Sequence, residues 1–304
     1  MNDEILCVGE ILWDALPDGL FLGGAPFNVA CHLQALGREA AFVSRVGDDR
    51  LGHEALRRMR ARNLDAGLMQ IDASLPTGFV QVELGGTGEP DYEILEPAAW
   101  DAITFTDTVG QHVKHADALV YGSLAQRALT SRQTIEELCR AEVLRVFDIN
   151  LRPPFIDQAV VERSLTAADV VKFNDDELRY LQDWFDLPGD PEAAVASLAE
   201  DFDCTALCVT CGDDGAWLWM EGSTWHHPGY AVDVADTVGA GDAFLSALLT
   251  GLLTGRSGDA LLDLANRLGA YVASRPGATP GYEFDELDDI QQIDLGGRKP
   301  SAST

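Results

Sequence analysis

Positive charge is scarce in this chain. Its 304 residues carry 50 aspartates and glutamates against 21 lysines and arginines, a formal net charge of −29, and lysine occurs only as Lys114, Lys172 and Lys299. Such a surface repels nucleic acids and anionic membranes, so neither is expected as a partner. The acids are scattered among periodic apolar segments rather than gathered into runs, which excludes a disordered acidic tail as the model for the whole. Concentrated salt would relieve the self-repulsion of so acidic a surface, and a halophilic source is the expectation.

Long hydrophobic runs are also missing. None approaches the roughly 20 residues of a membrane helix. Met1-Asn2-Asp3-Glu4 lacks the basic start and apolar stretch of a secretion signal, so a cytoplasmic protein is expected. Two nucleotide motifs are absent as well. There is no glycine-lysine-serine/threonine run of a P-loop, and no G-x-G-x-x-G after the first predicted strand, which argues against a dinucleotide enzyme. Cysteine is present but poorly placed for a cluster. Cys204, Cys208 and Cys211 have suggestive spacing, yet strand alternation predicts Cys204 and Cys208 on one face and Cys211 on the other. Reduced, buried thiols of a reducing compartment are the better reading. His226-His227 lies in a predicted strand whose neighbours point to opposite faces, so a shared metal is not expected.

Against these absences, hydrophobic residues make up 46% of the chain, enough for a substantial core. Short apolar runs at Ile5–Gly9, Ala40–Val46, Ala118–Tyr121, Leu144–Phe147, Val170–Phe173 and Ala206–Thr210 read as strands. Helical patterns follow most of them: from Ala25 to Leu36 with Gly37 as cap, then 51–62, 131–142, 160–168, 175–184 and 191–201. Further strands are expected at 216–220 and 224–234, and a last helix at 258–273. The arginines of the 51–62 helix, Arg57, Arg58, Arg60 and Arg62, form a solvated face. The alternation of strand and helix predicts an α/β fold, a mostly parallel sheet covered on both sides. Glu10 to Asp14, Leu20 to Gly24, and the hairpin of Thr77–Leu84 and Tyr92–Leu95 around Gly85-Gly86-Thr87-Gly88 break that rhythm. They read as an excursion out of the main sheet, a lid. Residues 296–304 read as a frayed tail, leaving 1–295 as one domain.

The most informative stretch is Asp236-Thr237-Val238-Gly239-Ala240-Gly241-Asp242-Ala243-Phe244, a glycine turn running directly into an apolar helix. The unpaired amides of a helix start, aided by its dipole, make such a turn an anion site. Asp242 sits where the anion would lie. A carboxylate there makes sense if it takes a proton from a hydroxyl attacking a bound phosphate, and at a helix N-terminus its pKa is expected to be low. Asp148-Ile149-Asn150-Leu151-Arg152, Asn174 through Glu177, and Thr210-Cys211-Gly212 all follow predicted strands, on the edge where α/β sheets bind ligands. Phosphoryl transfer needs donors at the phosphate, Mg²⁺ and an oriented hydroxyl. The amides of Gly239, Ala240 and Gly241 could supply the donors, Arg152 could pair with phosphate oxygens, and Glu177 could hold Mg²⁺ through water.

With both Gly23-Gly24-Ala25-Pro26-Phe27-Asn28-Val29-Ala30 and Asp236 through Phe244 in view, the chain resembles the ribokinase-like (PfkB) sugar kinases over nearly its whole length. The resemblance implies a three-layer α/β/α domain with a small β-lid from about 11–24 and 77–100. It implies ATP and Mg²⁺ as cofactors, with Asp242 as the base and Gly239, Ala240 and Gly241 as the anion hole. Asp14, Gly24 and Asn28 then resemble sugar-binding residues. Asn174 and Glu177 match an N-x-x-E element for phosphate and Mg²⁺, and Thr210, Gly212, Gly215 and Asn266 resemble nucleotide contacts. Asp236, Val238 and Gly277 resemble a monovalent-cation site, for K⁺. Within the family, Asp148 through Phe155, Gly122-Ser123-Leu124 and Gly23-Gly24-Ala25-Pro26 are most similar to fructokinases. Fructose is the first choice of acceptor, with ribose, 2-keto-3-deoxygluconate and a nucleoside open. The competing class is a non-catalytic sugar or nucleotide sensor, which need not keep Asp242. An edge of the lid strands is available to a second copy, which leaves a homodimer open.

Overall fold

A computed structural model describes residues 4–16, 19–84 and 90–282. In chain order, β1 (Glu4–Val8) is followed by β2 (Leu12–Leu16), β3 (Gly19–Gly23), α1 (Ala25–Ala35), β4 (Glu39–Gly47), α2 (Arg50–Ala61), β5 (Met69–Asp72), β6 (Gly78–Leu84) and β7 (Pro90–Ile94). After a short 3₁₀ turn come α3 (Asp107–His115), β8 (Ala118–Gly122), α4 (Leu129–Leu138), β9 (Leu144–Asp148), α5 (Gln158–Ala167), β10 (Val170–Asn174), α6 (Asp175–Phe185) and α7 (Pro191–Phe202). The chain continues with β11 (Ala206–Thr210), β12 (Ala216–Met220), β13 (Ser223–His227), α8 (Ala240–Leu253) and α9 (Gly258–Ala273).

Nine strands form one sheet in the order β13-β12-β11-β10-β9-β8-β1-β4-β5. From β11 through β5 every pairing is parallel, and β12 and β13 close one edge as antiparallel strands. Both faces are covered, as a parallel sheet requires. Alternation along β1 shows how: Ile5 and Cys7 face Leu33 of α1, Leu56 of α2, Leu248 of α8 and Leu262 of α9. Leu6 and Val8 face the opposite core, with Val113 of α3, Ile135 of α4, Val161 of α5, Leu181 of α6 and Leu198 of α7. The result is three layers, α/β/α. Helix starts follow from local chemistry. Asp49 caps α2 through the Gly52 amide at 2.7 Å, and Asp190 with Pro191 opens α7.

The segments that break the βα rhythm supply a second, four-stranded sheet, β3-β2-β6-β7. Its β2 and β6 run parallel while the outer pairs are antiparallel. This sheet leaves the main one just after β1 and rejoins it near Trp100, a fully buried ring. There Arg127 fastens the returning chain. Its guanidinium makes two bonds to Asp101, at 2.8 and 2.9 Å, and one to the Leu95 carbonyl at 3.0 Å, and it lies 3.9 Å from the Trp100 ring centre.

Several sequence expectations need correction. The strand predicted over 224–234 ends at His227, because Pro228 follows and cannot donate to a ladder. The strand read at Glu10–Asp14 starts two residues later, at Leu12, which frees Glu10 for another role. Cys204 and Cys208 do not share a face: Cys204 precedes β11 and enters the core layer of Leu207 and Val209, while Cys208 packs on the other side. β5 and α3 were not anticipated. The Gly85–Gly88 turn and the 296–304 tail lie outside the described residues.

Candidate active site

The polar clusters expected at the carboxyl edge of the sheet do meet there. Gly239, at φ +80°, turns the chain into α8, and a side chain at that position would strike the Ala278 backbone at 2.4 Å. Only glycine combines that dihedral with that approach. Asp242 follows in the first turn, 9% exposed, and its Oδ2 accepts a 2.8 Å bond from Asn28 Nδ2 on α1. Asn28 in turn sits just inside α1, whose first residues follow Gly24 at φ +115°, packed on the Glu10 carbonyl. The two glycine turns are thus joined by an amide–carboxylate pair contributed by positions far apart in sequence. Of the three expected anion-hole donors, Ala240 is partly spent, since its N–H bonds back to the Thr237 carbonyl at 3.3 Å.

Burial decides the electrostatics of Asp242. A low pKa was the expectation from the helix dipole. Desolvation instead raises it above 3.8, against the lowering effects of the Asn28 bond and of Lys172 and Arg152. A dipole effect of about a kcal/mol is smaller than the cost of removing a carboxylate from water. A raised pKa makes Asp242 a stronger base than the sequence implied.

Around it lies an acidic wall. Glu10 is 2% exposed, accepts the Ala25 amide through Oε1 at 3.2 Å and leaves Oε2 without a partner among the described residues. Burial pushes its pKa up to about 7. Burial also raises Asp14 on β2, to about 6, opposed by the Arg152 charge. Asp148, at the end of β9, is bonded to Lys172 Nζ at 3.0 Å through Oδ1, while its Oδ2 is buried and has no partner among the described residues. Lys172 is equally buried. Desolvation works against its charge, but Asp148, Glu177 and Asp242 outweigh that and raise its pKa. Its ammonium lies under the glycine turn, 3.2 Å from where a Cβ on Gly241 would stand.

Glu177 turns out to be a structural clamp. Oε2 accepts the Asn174 amide at 2.8 Å while Asn174 Oδ1 caps the Glu177 amide at 2.7 Å, a reciprocal capping box. Oε1 reaches across to the Leu151 amide at 2.6 Å. That bond holds the loop after β9, which turns through Asn150 at φ +41° and presents Arg152 to solvent. Arg152 makes no ion pair within 4 Å among the described residues, yet its charge is felt at Glu10, Asp14, Asp148 and Asp242. An unspent guanidinium beside four carboxyls suits an anionic ligand placed between them.

The remaining expected residues fall nearby with plainer roles. Thr210 ends β11, and Gly212 and Gly215 bracket the turn after it at φ +57° and +82°. Asn266 on α9 donates to the Leu262 carbonyl at 2.7 Å. Asp236 accepts the Val238 amide at 3.0 Å and the Gly277 amide at 3.2 Å, pinning two loops together; Val238 itself is half exposed. Sequence reasoning missed Glu10, Lys172 and His32. The apolar alternation around each disguised it as part of a strand or helix.

The site fits a phosphorylated ligand and a metal carried by it. Buried acceptors without partners, Glu10 Oε2, Asn28 Oδ1 and Asp148 Oδ2, cluster where a hydroxylated or cationic group would satisfy them. Among the described residues no group of three or more acidic, histidine or cysteine side chains could hold a metal alone. Mg²⁺ needs no such cage when substrate phosphates supply most of its ligands.

A glycine turn and buried carboxyls gathered at the carboxyl edge of a parallel sheet, without a P-loop, suit phosphoryl transfer to a small molecule. The pfkB family carbohydrate kinase model matches residues 18–284, and the chain belongs to that family. It is 31% identical to the fructokinase of Klebsiella pneumoniae over 96% of this chain and 99% of that one. Fructokinase with bound ATP from Xylella fastidiosa superimposes with a TM-score of 0.84 at 23% identity, covering 96% of this chain and 99% of its own. A fructokinase double mutant from Vibrio cholerae O395, solved with fructose, ADP and potassium ion bound, gives 0.79 at 25% identity, covering 94% and 97%.

Proposed function

We propose that this carbohydrate kinase transfers the γ-phosphoryl group of ATP to a primary hydroxyl of fructose. The observation that carries the reading is the Asn28–Asp242 pair, which holds one carboxylate at the mouth of a glycine turn and at the start of the acceptor helix together. Asp14, Gly24 and Asn28 would bind the sugar hydroxyls. Asp242 would accept the proton of the attacking hydroxyl, a contribution of about 10²–10⁴ in rate. The amides of Gly239 and Gly241, with Ala240 released from Thr237, and the Arg152 guanidinium would stabilise the transferring phosphoryl.

Mg²⁺ would neutralise phosphate charge when bound. Asp148, whose Oδ2 has no partner among the described residues, would help hold its shell, and Glu177, whose oxygens each already accept one backbone amide, would reach it through water with a remaining lone pair. Asn174, Thr210, Gly212, Gly215 and Asn266 would line the nucleotide. The loops that Asp236 pins, with Val238 and Gly277, would take a monovalent cation, in keeping with the potassium ion of the Vibrio enzyme. Fructose is favoured by the fructokinases among the relatives.

ADP release measured across fructose, ribose, 2-keto-3-deoxygluconate and nucleosides, with and without K⁺, tests the assignment. Fructose should give the highest kcat/KM. A different preferred acceptor would overturn the substrate, and no turnover on any would favour a sensor on this fold.

A further inference from the structure

His32 is a buried residue on α1, one helical turn beyond Asn28, and neither of its ring nitrogens is idle. Nε2 lies 3.0 Å from the Ala278 carbonyl and Nδ1 lies 3.1 Å from the Tyr282 hydroxyl. A carbonyl can only accept, so Nε2 carries the proton and Nδ1 receives the Tyr282 O–H. The Tyr282 ring stacks on the imidazole at 5.9 Å and meets Tyr271 of α9 edge-on. Burial lowers the His32 pKa to about 4, partly countered by the Ala278 bond; burial thus keeps the ring neutral, and the Ala278 carbonyl keeps this tautomer in place.

Ala278 is the backbone against which Gly239 packs, and its neighbour Gly277 donates to Asp236 at the start of the same turn. The contacts close a ring. From α1 it runs through His32 to Ala278, from Ala278 to the Gly239 turn, along that turn to Asp242, and through Asn28 back to α1. We propose that His32 is a positioning residue that locks the anion-binding turn to the acceptor helix, so that phosphate-facing amides and the attacking hydroxyl stay in register. It touches neither substrate, and it acts through Ala278. The inference rests on the kinase reading of the site, but half of its test does not.

The variants His32→Leu, which deletes both bonds, and His32→Gln, whose amide can still donate to Ala278, separate positioning from packing. Hydrogen exchange of the peptide spanning 237–243 needs no substrate. It should quicken by at least about tenfold in His32→Leu and stay near wild type in His32→Gln, as expected when a tertiary tie on a local segment is cut. With fructose and ATP, kcat should fall by about 10–100-fold in His32→Leu while both KM values hold within about threefold, because misalignment costs the chemical step. His32→Gln should recover most of it. Unchanged exchange of the turn in folded His32→Leu overturns the proposal, as does a glutamine variant no better than leucine. If His32→Leu does not fold, Tyr282→Phe removes the hydroxyl that holds the imidazole in its orientation toward Ala278. A kcat loss at unchanged Tm then supports the proposal, and wild-type kcat and exchange refute it. Inactivity of the wild-type chain would defeat the kinase reading and leave the exchange result to decide this one.

Discussion

Replacing Asp242 by asparagine should slow the enzyme and steady the fold at once. The side chain is buried, its one hydrogen-bond partner among the described residues is the Asn28 amide, and that amide can equally well donate to the carbonyl oxygen of an asparagine. Shape and hydrogen bond therefore survive, and what disappears is the charge and the base. Loss of general-base action should lower kcat by about 10²–10⁴, or about 2.7–5.4 kcal/mol at 1.36 per decade. Stability should move the other way. Burial raises the native pKa of Asp242 above its ordinary 3.8, so the native state binds this proton more tightly than the unfolded chain does. Its stability then falls as pH climbs from 3.8 through the native pKa, and asparagine is exempt from that loss. Melting curves near pH 4 and at pH 8 should show the variant gaining most at pH 8, alongside a coupled ADP assay and a titration of ATP binding that stays near wild type. A variant with near-normal kcat would remove Asp242 from the chemistry. A variant that melts lower at pH 8 would show that its charge is compensated and that desolvation does not dominate.

Glu10→Gln should flatten the pH dependence of stability. A native pKa of about 7 against 4.5 corresponds to about 3 kcal/mol lost between those pH values in the wild type, checked by denaturant unfolding at each. Arg127→Met should destabilise by about 3–5 kcal/mol, because it strands the Asp101 carboxylate in a site closed by Trp100; a loss below 1 kcal/mol would refute the clamp. With a net charge of −29, the protein should melt lower in dilute buffer than in molar KCl, and an unchanged Tm would end the salt-adaptation reading.

The parts of the fold that sequence made legible are those where period and punctuation agree. From Ala118 onward each apolar run is short, α5, α6 and α7 open on the caps Asp157, Asn174 and Asp190, and the βα rhythm reads cleanly. β5 escaped because Met69-Gln70-Ile71-Asp72 is half polar and pairs along a single edge. α3 escaped because Asp107–His115 buries little beyond Val109 and Val113 around a glycine. The glycine turn and Asp242 were legible, since a turn needs particular residue types in a fixed order. Their energetics were not. The pKa of Asp242 depends on neighbours such as Lys172, brought in from β10, and on burial that no local window contains. Glu177 shows the same limit. Its N-x-x-E spacing points to a ligand, whereas both of its oxygens are engaged by backbone amides, one of them 26 positions away.

The amide of Asn28 and the carboxylate of Asp242 are separated by 214 positions, yet they meet in a single hydrogen-bonded pair. A ribosome therefore has to deliver most of the chain before the centre can exist in any form. Early segments can collapse on β1 and its neighbours, but that pair cannot form until α8 docks beside α1. The pair closes abruptly and late, as a readout that nearly the whole polypeptide has found its place.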